Sequence, residues 1–131
     1  MAGARRAAIV AVVAALAAVG CGSDSEKDAV ASRVNAFRAT VLSADGGGAC
    51  AMMTKAAQDV YANIGHADSC EAGFAQVAST VDKSDYEGDV SPDDVTIDAD
   101  HATVKPADNP DAPIALVKSV DDEWLIEKPG G

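Results

Sequence analysis

The residues able to do chemistry are few, and their spacing separates the alternatives. Three cysteines stand at Cys21, Cys50 and Cys70, and the two histidines are His66 and His101. Cys50, His66 and Cys70 have the composition of a zinc site, but they lack the C-x-x-C spacing that lets one short loop offer two thiolates to a tetrahedral ion. A Cys–His nucleophile needs an exposed thiol of lowered pKa, whereas Cys50 and Cys70 each fall on an apolar helical stripe. The acids Asp82, Asp85, Glu87, Asp89, Asp93 and Asp94 are dense enough to raise calcium. They do not keep the D-x-D-x-D-G-x5-E register that would wrap oxygen ligands around that ion, and they read as a solvated loop. No metal and no cofactor are expected. Tyr61, His66 and His101 remain as polar side chains, with both histidines in or beside loops.

Cys21 differs from the other two cysteines in its surroundings. Arg5 and Arg6 precede an unbroken apolar run, Ala7–Val19, and the chain turns polar at Gly22. A basic start followed by a 7–15-residue apolar stretch is the plan of a secretory signal. As a helix the run rises roughly 20 Å, short of a hydrocarbon core about 30 Å thick. Its end, Leu16-Ala17-Ala18-Val19-Gly20-Cys21, resembles a bacterial lipobox, with Ala18 in place of the usual leucine. That resemblance implies cleavage before Cys21 and alkylation of its thiol with diacylglycerol. Two or more acyl chains, at about 0.8 kcal/mol per buried methylene, hold where one is marginal. The segments then read as a signal peptide over 1–20, a tether over 21–27 and a single domain over 28–131. The domain is expected on the extracytoplasmic face of the cell membrane, held through lipid on Cys21. Arg5-Arg6 leaves general or twin-arginine export open.

With Cys21 acylated, Cys50 and Cys70 form an even pair in an oxidising compartment, and a disulfide is expected. The whole chain carries 10 basic and 21 acidic side chains, a net charge of −11. Loss of 1–20 removes two arginines and no acid, giving −13. Such a surface excludes a groove for nucleic acid, which needs clustered Lys and Arg. It also argues against a polybasic membrane patch.

The elements that must position these groups follow from periodicity. Ser23 and Glu26 fit a capping box, and Val30, Val34, Phe37 and Val41 mark one face of a first helix, with Arg33, Asn35 and Arg38 off it. Asp45-Gly46-Gly47-Gly48 reads as its stop. Cys50, Met53, Ala57, Val60 and Tyr61 define a second helix from about Ala49 to before Gly65. Ser69 caps a third, whose face is Cys70, Phe74, Val77 and Val81. Both cysteines thus fall in first turns, and a disulfide would join helices two and three there. Beyond the acidic segment the period changes to two. Val95–Val104 and Ile114–Lys128 each read as a hairpin around a polar turn. The fold class is α+β: three N-terminal helices on one face of a curved antiparallel sheet of about four strands.

The cysteine placement, together with "VTIDADHATVK…PIALVKSVDDEWLIEK", resembles small lipoproteins of high-GC Gram-positive bacteria with the cone-shaped fold of the nuclear transport factor 2 superfamily. The resemblance covers about residues 27–128. It lacks a clear strand between the second and third helices, because "ANIGHADS" is short. It implies an apolar pocket, with Phe37, Tyr61, Phe74, Trp124 and Ile126 as candidate lining. No carboxylate falls on the three helical faces, so an acid–base enzyme is not expected. The sequence reads as an anchored binding or interaction module for an envelope protein or a small apolar ligand. An accessory envelope lipoprotein without a small ligand is the alternative, and a cone-fold enzyme comes third.

Overall fold

The structure is a computed structural model and describes residues 24–130. Cys21, the signal segment and the Ser23 half of the expected capping box lie outside the described residues. Four α-helices are followed by four strands: α1 (Asp24–Ser43), α2 (Gly46–Ala51), α3 (Lys55–Ile64), α4 (Cys70–Ala78), β1 (Val95–Asp98), β2 (His101–Val104), β3 (Ile114–Lys118) and β4 (Trp124–Lys128). Two 3₁₀ turns, Lys83–Tyr86 and Pro92–Asp94, bridge α4 to the sheet. The class is α+β, as expected.

Helix α1 buries Val30, Val34, Phe37 and Val41, the stripe its spacing predicts. It also buries Arg38, which was expected off that face. The reason is spacing, since Arg38 stands four residues after Val34 and shares its side of the helix. The helix begins at Asp24, so residues 24–27, expected as tether, form its first turn. Asn35 uses its amide as a strand would: Nδ2 donates to the Val90 carbonyl (3.0 Å) and Oδ1 accepts from the Val90 N–H (2.8 Å).

The expected second helix is two helices. The three glycines do not simply stop the chain. Asp45 caps α2, its carboxylate accepting from the Gly48 N–H at 3.0 Å, and Gly46–Gly48 form the first turn. A Cβ on Gly46 would stand 2.3 Å from the Glu71 carbonyl oxygen, so only glycine lets α2 lie this close to α4. The helix breaks at Met52–Thr54 because this stretch pairs with β4. Ile126 N–H donates to the Met52 carbonyl (2.7 Å), and Thr54 N–H donates to the Ile126 carbonyl (2.9 Å). Thr54 then caps α3, its hydroxyl accepting from Ala57 N–H. Cys50 therefore sits near the end of α2, not in the first turn of a long helix. The disulfide ties α2 to the start of α4, with the Cys50 and Cys70 Cα atoms 6.2 Å apart.

The sheet is an antiparallel meander in the order β1-β2-β3-β4. Registers Asp98↔His101 and Lys118↔Trp124 set the turns Ala99–Asp100 and Ser119–Glu123 at the same end of the sheet, where Lys118 N–H donates to the Asp100 carbonyl. Alternation sends Val95, Ala102, Val104, Ile114, Leu116, Trp124 and Ile126 into the core against Val30, Phe37 and Phe74. A core of this kind stabilises through area removed from water, about 25 cal/mol per Å².

Candidate functional site

The principal concavity lies at the other end of the sheet from those two turns. Helix α3 presents Val60, Tyr61 and Ile64, the i, i+1, i+4 stripe of one helical face. Only Ala57 of α3 is buried, while Val60 and Ile64 remain 49% and 58% exposed. The chain after α4 supplies Val81, Asp82, Asp85 and Tyr86, and α4 itself adds Val77. Pro113 before β3 and Lys128-Pro129-Gly130 after β4 form the opposite wall. Together these residues bound an open cleft of about 670 Å³. Glycines bring its helical wall together: a Cβ on Gly73 would lie 2.2 Å from the Tyr61 carbonyl oxygen, and one on Gly65 would lie 2.5 Å from the Gly73 Cα.

Two phenols face this space. The Tyr61 ring packs on Phe74 at 5.2 Å, and Phe74 meets Phe37 edge-on at 5.9 Å, so a line of rings runs from cleft to core. Burial, and secondarily the nearby Tyr86, push the Tyr61 hydroxyl up to about 12. Tyr86 is also raised, by burial first and by the Asp85 carboxylate, against an opposing effect of Arg38. Both phenols are neutral donors at ordinary pH, and neither hydroxyl has a hydrogen-bond partner among the described residues. The rim is acidic, with Asp82 and Asp85 against Lys128. Asp82 caps the 3₁₀ turn, accepting from Ser84 N–H and Oγ, which holds its carboxyl below the usual range.

A small pocket of about 40 Å³ adjoins the cleft through Tyr86, Pro129 and Gly130. Arg38 forms part of it, 4% exposed. Its Nη2 donates to Asp108 Oδ2 (3.0 Å) and to the Asp85 carbonyl (2.9 Å), and its guanidinium stands 6.0 Å from the Tyr86 ring centre. Its Nε is buried without an acceptor among the described residues. Arg38 thereby fixes the Asp85–Tyr86 wall.

The five residues expected to line a pocket separate. Tyr61 lines the cleft and Phe37 touches the small pocket. Phe74, Trp124 and Ile126 are buried in the core beneath the sheet and line neither space. Those three belong to the hydrophobic core with Val30 and Val34, and the two concavities lie at its edge. His66 and His101 are exposed and line neither pocket. Sequence reasoning missed Ile64, Tyr86, Pro113 and Pro129 as a group, because they converge from four separate segments. Val77 and Val81 carried a signal, but of burial: α4 ends at Ala78, which turns Val81 into the cleft.

Among the described residues no helix is long and apolar enough to cross a membrane. Comparison with family models, curated proteins and solved structures returns no match for this chain.

Proposed function

We propose that this chain is a lipid-anchored binding module of the extracytoplasmic membrane face, and that the cleft between α3, the segment after α4 and the end of β4 holds a small apolar-bodied molecule. One observation carries the reading: Val60 and Ile64 are half exposed side by side on the cleft wall, beside two phenols whose hydroxyls have no hydrogen-bond partner among the described residues. Contiguous exposed apolar surface of this kind marks an interaction site, and concave apolar walls with a few convergent polar groups are the usual form of a ligand site. The acidic rim and the net charge favour a neutral or cationic ligand over an anion. The phenols donate to an acceptor on that ligand. No reaction is assigned. The lipid anchor rests on the resemblance of Val19-Gly20-Cys21 to a lipobox, and kinship with the cone superfamily rests on helices followed by an antiparallel sheet.

The filled interior favours a second reading, an accessory envelope lipoprotein without a small ligand. Native mass spectrometry of the protein extracted from its own membranes in mild detergent separates the two. The expected spectrum shows an acylated chain cut before Cys21 with additional non-covalent mass, absent from the V60D/I64D variant. Both positions are exposed, so that variant keeps the fold. A bare acylated chain in both samples overturns the ligand reading in favour of the second, and an unacylated chain overturns the anchor.

A further inference from the structure

We propose that the molecule stands on the membrane by the sheet end that carries the turns Ala99–Asp100 and Ser119–Glu123, with the cleft opening at the far end, away from the bilayer. This rests on the reading of Cys21 as the anchor. The partner of the near surface is the lipid headgroup layer, and the cleft takes its ligand from the aqueous envelope side.

The position of the anchored end follows from contacts of the first turn of α1. Glu26 Oε1 accepts from Lys118 Nζ at 2.7 Å, and Glu26 Oε2 accepts from Trp124 Nε1 at 3.2 Å. The Lys118 ammonium also lies 5.1 Å from the Trp124 ring centre. Lys118 ends β3 and Trp124 begins β4, directly beside the Ser119–Glu123 turn. Asp24 is three positions after Cys21, a reach of about 11 Å at full extension. An anchor on Cys21 therefore holds this end of the sheet near the headgroups.

Two independent rulers place the cleft at the opposite end. Along the sheet, Pro113 precedes β3 and Lys128-Pro129-Gly130 close β4, so the cleft wall lies one five-residue strand, about 17 Å, from Lys118 and Trp124. Along α1, Glu26 marks the anchored end and Arg38 the cleft end, where it meets Asp85 and Tyr86. Twelve residues at 1.5 Å give about 18 Å. Charge does not choose between the ends, since the near turns carry Asp98, Asp100, Asp121, Asp122 and Glu123 and the far end Asp82, Asp85, Asp108 and Asp111. The orientation rests on the tether and the two distances.

The test places one fluorescent label at each end of the full chain. V120C and D111C both alter exposed residues, in the Ser119–Glu123 turn and in the loop before β3. With Cys50 and Cys70 paired and Cys21 acylated, the new cysteine is the free thiol. Each labelled protein is incorporated into phosphatidylglycerol–phosphatidylethanolamine vesicles carrying a small fraction of headgroup-labelled acceptor lipid, and vesicle association is scored by flotation. The expected result is co-flotation of both, with energy transfer severalfold more efficient from position 120 than from position 111. Co-flotation with equal or reversed transfer overturns the orientation and leaves the anchor standing. Failure to float overturns the anchor reading and the orientation with it.

Discussion

At the residue scale, the site depends on side chains held by unequal partners. Arg38 is buried with one carboxylate and one carbonyl on Nη2 and no partner for Nε among the described residues, so its interactions fix the cleft wall at a cost in desolvation. Tyr61 has the clearest consequence. A phenol whose folded pKa lies near 12, against about 10 unfolded, favours the fold while it is protonated. Its contribution is complete below pH 10 and is lost as the pH rises through 12. The difference corresponds to roughly 2–3 kcal/mol. Chemical denaturation at pH 9, 10.5 and 12 should show the wild-type midpoint falling across this window and that of Y61F falling less steeply. Parallel curves would mean that the Tyr61 hydroxyl titrates freely.

At the element scale, α4 is the piece against which α2 and α3 are fitted, and glycines fit it. Gly73 sits under the α3 backbone at Tyr61, and a methyl there collides with main chain that cannot rotate away. G73A should therefore cost on the order of 2–3 kcal/mol by overpacking. Gly47, in the first turn of α2, has room for a methyl instead, which would meet side-chain oxygens only at ordinary contact distance, the nearest at 3.8 Å. G47A should add about 0.5–1 kcal/mol by restricting the unfolded chain. Thermal melts of the two single variants against wild type check the pair, and equal shifts would sink the close-packing account. The same elements show what was legible beforehand. The stripe Val30–Val41, the Ser69 cap, both hairpins and the Cys50–Cys70 pairing are local or compositional signals, and they could be read. The break at Met52–Thr54 could not, because its cause is a backbone pairing with Ile126 more than seventy residues away. Nor could the cleft, whose walls meet only after α4 ends short of Val81 and β4 delivers Pro129 beside Tyr86. Arg38 was readable in principle from its spacing to Val34, but its partner Asp108 lies seventy residues on.

At the scale of the whole molecule, the excess of acid is an organising force. The described residues form four ion pairs: Arg33–Glu123 at 3.8 Å, Arg38–Asp108, Lys55–Asp59 and Lys118–Glu26. Those pairs use only a few of the carboxylates in a chain of net charge −11, and the remainder repel across the surface. Self-repulsion of this kind opposes the compact state. It is also the component most open to screening, because the Debye length shrinks from about 30 Å at 0.01 M salt to about 8 Å at 0.15 M. The attractive pairs lose less, since they act at contact and the Arg38 side chain is only 5% exposed. The melting temperature should accordingly rise between 10 and 150 mM sodium chloride, and potassium chloride should give the same rise, because screening depends on ionic strength and not on a bound ion. A fall with added salt would mean that the four ion pairs outweigh the unpaired acids. A rise seen with one monovalent cation alone would point to site binding instead of screening.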